Sequence, residues 1–234
     1  LVAARAAEWG VPLIPLQSLG VFFDAEGFIT SQTLRRLGWG AEAIAWADDE
    51  NRCVYKLFEV RPNSALGKKL RLQREPDGFH MTHADASLDD TLEKLCVLHD
   101  AGACPTEIIG LAESGDFLIV KQPLCLPSPD FIADRKSAAE KVHAVVPRRS
   151  IGREVRVFWL NDQPWCLGDL HENNIMREPD GAPTIIDALI CPLPPVFIKQ
   201  ESFLQSAVKR AQDLRAGRAP ESDDPFAGVC DDDL

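Results

Sequence analysis

Short apolar runs broken by tight polar turns recur along this chain, and that punctuation commits it to antiparallel hairpins more firmly than any other feature. In Val21 to Thr30, Phe22-Phe23 and Phe28-Ile29 flank Asp24-Ala25-Glu26-Gly27. Ala43 to Ala47 and Arg52 to Phe58 flank Asp48-Asp49-Glu50-Asn51, and Ile108 to Leu111 and Phe117 to Lys121 flank Ala112-Glu113-Ser114-Gly115. Further on, Glu154 to Leu160 turns at Asn161-Asp162-Gln163 into Trp165 to Leu167. Asn174 to Arg177 then returns as Thr184 to Asp187 across Glu178-Pro179-Asp180-Gly181-Ala182-Pro183. Gly, Asn and Asp supply the left-handed backbone that such turns require. Helices are expected between the hairpins. Ser87 with Asp90 makes a capping-box pattern, Leu88, Leu92 and Leu95 form a stripe, and Gly102 offers a stop, which predicts a helix over Ser87 to Ala101. Phe131 to Val145 and Ile198 to Arg215 also read as helical, 64–74 as a short basic helix, and 76–86 as loop. The expected class is α+β.

Hydrophobic residues make up 45% of the 234 and charged residues 26%, which is enough to build a core and excludes a mainly disordered chain. No apolar run is long enough to cross a bilayer, so no membrane partner is expected. The formal charge of -11 argues against nucleic-acid partners, because phosphates would be repelled. Part of that charge sits in Glu221 to Leu234, which lacks Lys and Arg and reads as an acidic, disordered tail. Seven scattered cysteines without a CxxC pair indicate neither structural zinc nor a disulfide framework, and a reducing cytoplasm fits best. The chain lacks an initiator Met and reads as a piece of a longer protein.

The densest chemistry lies in Gly168-Asp169-Leu170-His171-Glu172-Asn173-Asn174-Ile175, followed by Thr184-Ile185-Ile186-Asp187. An Asp-x-x-x-x-Asn loop, a short hairpin and an apolar strand ending in Asp suit phosphoryl transfer, which depends on positioning and on neutralising phosphate charge. One carboxylate, Asp169, would orient the acceptor hydroxyl and take its proton. The amide of Asn174 and the carboxylate of Asp187 are the hard oxygen ligands that Mg²⁺ prefers.

Upstream, Leu37-Gly38-Trp39-Gly40 precedes a strand, a turn and Val54-Tyr55-Lys56. Gly38 and Gly40 let backbone N–H groups approach phosphates closely. Period-two alternation puts Val54 and Lys56 on one face, where Val54 could cover an adenine while Lys56 reaches the α- and β-phosphates. Glu93, inside the expected helix, is placed to pair with Lys56. Around Lys121 and Pro123 an apolar strand runs into an irregular stretch whose backbone could read the adenine edge.

Together these residues resemble the protein-kinase-like fold, over roughly Leu37 to Leu189. The narrower likeness is to compact bacterial kinase domains of the polyvalent-protein type. The Gly-Asp-Leu-His form is similar to the catalytic loops of aminoglycoside and choline kinases. The resemblance implies a two-lobed architecture with an antiparallel-sheet N-terminal nucleotide-binding lobe (1–125), a reduced C-terminal catalytic lobe (126–220) and the acidic tail (221–234). It also implies an ATP- and Mg²⁺-dependent phosphotransferase acting on a protein or small-molecule hydroxyl. By similarity Lys56, Glu93, Asp169, Asn174 and Asp187 take the five functional positions. The sequence departs from the family at Ala43, where a third glycine is usual, at Leu167, where a His is usual, and at Ala188-Leu189 after Asp187. The stretch 57–92 is long for the family, and 188–234 is too short for the usual peptide-substrate platform. A kinase-fold AMP transferase and a non-catalytic nucleotide-binding adaptor are the alternatives.

Other features read as ordinary structure: His80 with His83 as loop residues, the run Arg61, Lys68, Lys69, Arg71 and Arg74 as a solvated face, and Trp159, Trp165 and Cys166 as core. His171 is suited either to touch phosphate or to hold the loop backbone.

Overall fold

The computed structural model describes residues 2–40, 42–60, 67–76, 78–152 and 154–219. The chain opens with α1 (Val2–Trp9), β1 (Leu13–Ile14), a 3-10 turn (Leu16–Leu19) and the hairpin β2 (Val21–Phe23)–β3 (Ile29–Ser31). A meander follows: β4 (Arg35–Trp39), β5 (Ala43–Asp48) and β6 (Cys53–Glu59). Next come β7 (Gly67–Glu75), β8 (Gly78–Ala86), α2 (Leu88–Ala101), β9 (Glu107–Ala112) and β10 (Phe117–Pro123). The second half holds β11 (Leu126–Pro127), α3 (Phe131–Lys141), β12 (Arg156–Leu160), β13 (Gln163–Gly168) and a 3-10 turn (Glu172–Asn174). After them run β14 (Ile175–Arg177), β15 (Pro183–Ile185), β16 (Leu189–Pro192), α4 (Pro195–Gln200) and α5 (Ser202–Arg215). The class is α+β, with several antiparallel sheets.

The largest sheet has the order β1-β9-β10-β6-β5-β4. Its central strands β6 and β10 are apolar nearly throughout because both faces are covered. Phe58, Leu118 and Val120 pack with Leu95 of α2 and Ala6 of α1 on one side. Leu57, Ile119 and Phe117 pack with Trp46, Leu16 and Val21 on the other. Lys56 lies opposite Val120 in register, so it points to the α2 side. At the sheet edge β1 runs parallel to β9 and comes close because Gly110 has no side chain: a Cβ there would stand 2.4 Å from the Pro12 carbonyl oxygen.

The hairpins expected from the sequence are present. Two expectations are corrected: 67–75 is a strand, not a basic helix, and 78–86 is its antiparallel partner, not a loop. Leu70 and Leu72 alternate with Lys69 and Arg71, and the apolar pair enters a core with Ile151, Val155 and Leu204. That burial decides between two local structures a charged run could adopt. This hairpin also accounts for the long stretch between Lys56 and α2. α2 carries the expected capping box and a left-handed Gly102. α3 ends at Lys141, because Val145 leaves to bridge Val157. The last helix is split by extended backbone at Glu201. Arg61 and the acidic tail lie outside the described residues.

β12, β13 and β16 form a three-stranded sheet, as do β11, β14 and β15. Two cores extend across residue 125. Val97 and Leu98 of α2 pack with Ala138, Phe158, Trp165 and Ile185, while Leu70 and Leu72 pack with Val145, Val157 and Val208. Within the second half, Arg177 of β14 donates to both carboxylate oxygens of Asp134 on α3, at 2.7 and 2.8 Å, and Ser128 adds a third bond. The Arg177 bonds chiefly, and the Ser128 bond, hold the Asp134 carboxyl below the usual carboxylate range against the opposing effect of burial. A depressed folded-state pKa adds stability that is present above the unfolded value and is lost as pH falls through the folded one. Urea titrations from pH 7 downward are therefore expected to show wild-type stability falling more steeply below about pH 4 than that of Asp134→Asn. Parallel pH profiles for the two proteins would contradict this.

Candidate functional site

Two strand pairings and one strand of the larger sheet assemble one site from residues distant in sequence. β13 pairs with β16 so that Gly168 faces Leu189, which carries Asp169 next to the 187–188 segment. β14 pairs with β15 so that Ile175 faces Ile185, and the Ile186 N–H donates to the Asn174 carbonyl at 2.9 Å. Asp169, Asn174 and Asp187 thus each stand just beyond a strand end, where the backbone leaves the ladder and side chains are free to converge. From the larger sheet, Lys56 reaches across to this cluster.

These groups line a cavity of about 730 Å³, roofed by Gly38 on β4 and Gly40 beyond it. The Gly40 N–H donates to the Ala43 carbonyl at 3.0 Å. Lys56 is 7% exposed and its ammonium bonds Asp187 Oδ1. Burial favours the neutral acid at Asp187. The Lys56 charge and hydrogen bond outweigh it, with help from Lys94 and His171, and hold the carboxyl below its ordinary range. Asn174 is buried. Its Nδ2 donates to the Asp169 carbonyl at 2.8 Å and lies 3.4 Å from both Asp169 Oδ2 and the Asp187 carbonyl.

Asp169 (φ 62°) and Asp187 (φ 51°) both adopt left-handed backbone. The other described non-glycine residues with positive φ lie in turns, whereas these two sit on the cavity wall. Asp tolerates this conformation better than most residues, and strained backbone of this kind concentrates where function over-determines geometry.

His171 uses Nδ1 to accept from the Asn173 N–H at 3.2 Å, capping the 3-10 turn. Its Nε2 stands 3.8 Å from Asp169 Oδ1. His171 thus holds the loop backbone, and it also lines the cavity.

Several expected site residues lie elsewhere. Glu93 is exposed and lines a separate cavity with Lys69 and Trp165, so it is not the partner of Lys56. The helix turns Thr91, Lys94, Leu95 and Leu98 inward, which leaves Glu93 facing out. Lys121 is opposite Tyr55, on the sheet face away from Lys56, with Glu107 3.9 Å away. Val54 is buried on the Lys56 face, and neither it nor Pro123 lines the cavity.

The sequence reading missed Lys94 and Glu42. Lys94 is 4% exposed and its Nζ bonds Glu42 Oε2 at 2.6 Å, while Glu42 Oε1 accepts from the Lys68 N–H at 2.7 Å. Gly67 permits this closeness, since a Cβ there would lie 3.1 Å from Glu42 Oε1. A single charge set within the apolar stripe of α2 was the available signal. Lys68 and His83 reach the cavity from the β7–β8 hairpin. His80 and His83 are three apart on one strand, so they face opposite sides and make no joint site.

Among the described residues no three His, Cys, Asp or Glu side chains are grouped to hold a metal ion by themselves. The donor set fits Mg²⁺ bound together with phosphates: one carboxylate and one amide oxygen would serve, since Mg²⁺ takes few protein ligands and keeps its remaining positions for water and phosphate. Comparison with protein-family models, with curated proteins and with solved structures finds no match in any of the three.

Proposed function

We propose that this cavity binds Mg²⁺-ATP and that the protein transfers the γ-phosphate to a hydroxyl acceptor, on a two-lobed protein-kinase-like architecture. The observation that carries the reading is the meeting of Lys56, Asp169, Asn174 and Asp187 on one cavity wall beneath Gly38 and Gly40. Lys56 supplies the positive charge for the α- and β-phosphates. Asp187 holds that ammonium in place, the job expected of Glu93. Asn174 and Asp187 would hold Mg²⁺, which supplies charge neutralisation at the phosphates. Asp169 accepts the proton of the attacking hydroxyl, with His171 and Asn174 fixing the loop that carries it.

The test is incubation of the purified chain with ATP and Mg²⁺, with nucleotide binding by calorimetry, ATP consumption, and intact mass of the protein and of candidate acceptors. ATP consumption with a gain of one phosphoryl group is the expected result. A gain of one adenylyl group would establish AMP transfer instead. Binding without turnover would leave an adaptor, and absence of nucleotide binding at any Mg²⁺ concentration would overturn the reading altogether.

A further inference from the structure

Cys104 and Cys125 stand 21 positions apart in the chain, yet their sulfurs lie 3.8 Å from each other. Cys104 follows α2. It is 2% exposed, and its N–H donates to the Ile185 carbonyl at 3.1 Å, two residues before Asp187. Cys125 is half-buried on the connection between β10 and β11, where the large sheet hands the chain to the second half. Beside the pair, Gln122 Nε2 donates to Thr106 Oγ1 at 2.9 Å, so the two segments are already in register. Cys104 also lines the small cavity behind the site, together with Lys94, Gln122 and Asp187.

We propose that Cys104 and Cys125 form a reversible disulfide that clamps the β10–β11 connection to the loop after α2, directly behind the Lys56–Asp187 pair. The sulfurs must close from 3.8 Å to about 2.05 Å for the bond to form. The oxidant is a low-molecular-weight disulfide such as oxidised glutathione. The Cys125 thiolate attacks one of its sulfurs, its S–S bond breaks, and one glutathione thiolate leaves. Cys104 gives up its proton and its thiolate attacks Cys125 Sγ, which expels the second glutathione thiolate. Two protein thiols are oxidised, one glutathione disulfide is reduced to two thiols, and the two protein protons end on the departing sulfurs. Hydrogen bonding from Cys104 holds the Cys125 thiol below its ordinary range and, together with burial, raises Cys104 above it. That asymmetry makes the accessible sulfur the attacking one.

Among the described residues the other thiols lack this combination, and Cys53 is 4% exposed. Cys166 and Cys191 face each other across β13 and β16, but Cys166 is fully buried and Cys191 is 8% exposed, so a tripeptide reagent is excluded. Cys96 is exposed on α2, with no cysteine paired to it among the described residues.

The proposal does not depend on phosphotransfer, and its test does not use nucleotide. The folded chain is treated with oxidised glutathione, free thiols are alkylated, and peptides are mapped by mass spectrometry. The expected product is a Cys104–Cys125 cross-link with a loss of about 2 Da, the mass of two hydrogens, reversed by dithiothreitol. Hydrogen exchange across 122–128 should slow in the oxidised protein and recover on reduction. In Cys125→Ser the cross-link should vanish while Cys104 stays unmodified, which identifies Cys125 as the entry point. A lasting glutathione adduct at Cys125, a cross-link to Cys53 instead, or unchanged exchange after oxidation would each overturn the proposal.

Discussion

Asp169→Asn is expected to lower phosphate transfer by about 10²–10⁴-fold, the usual contribution of a positioned general base, with nucleotide affinity within a few-fold of wild type. Asparagine is the right replacement for two reasons specific to this site. Residue 169 has φ 62°, which Asn tolerates and Ala resists, so Asn removes the base without adding backbone strain. The anchor from Asn174 Nδ2 goes mainly to the 169 backbone carbonyl at 2.8 Å and survives the change. Single-turnover transfer read beside calorimetric ATP binding separates the two effects. Equal loss of both would make Asp169 a structural residue. Retention of both would remove it from the mechanism. Asp187→Asn should differ, because it frees Lys56 from its carboxylate and takes away negative charge from the group expected to hold Mg²⁺. Nucleotide affinity should then fall together with transfer.

Glu42→Ala is the substitution expected to cost most in stability, about 3 kcal/mol, or a fall in Tm of roughly 6–12 °C. The Lys94 side chain is 5% exposed, and Glu42 Oε2 at 2.6 Å is its ion-pair partner. Removing the acid leaves a buried ammonium uncompensated and also strips the acceptor from the Lys68 N–H. The pair itself need not be strongly stabilising, because desolvation offsets much of its attraction. Glu42→Leu combined with Lys94→Met should therefore recover most of the loss, since it replaces both charges with apolar groups of similar size. Chemical denaturation of the single and double variants decides the matter. A single variant as stable as wild type, or a double variant no better than the single, would mean that Lys94 is served by another carboxylate such as Asp187.

The pattern of success along the chain has a physical cause. Asn161 and Asp162 both take positive φ in the tight turn that joins Leu160 to Gln163, and a turn of that kind is written in adjacent residues. The β7–β8 hairpin is not local in this sense. Lys68, Lys69, Arg71 and Arg74 suit a helix surface or a strand equally well, and the choice is made by Leu70 and Leu72 reaching a core built with α5. The site divides the same way. The intervals among Asp169, Asn174 and Asp187 were readable because each residue marks a strand end. Glu93 and Lys94 are neighbours, and which of them turned inward depended on the phase of α2 against Val97, Leu98 and the sheets beneath it.

Turn conformation, capping and period-two alternation act over a few neighbouring residues, so the hairpins, the capped helix α2 and the three polar residues at strand ends could be read from the amino-acid order alone. It took the packed fold to show that Lys56 is held by Asp187, that Glu42 and Lys94 form the ion pair beside them, and that Cys104 meets Cys125. Those contacts join segments far apart in the chain, and their partners are chosen by burial and charge compensation, which no local pattern encodes.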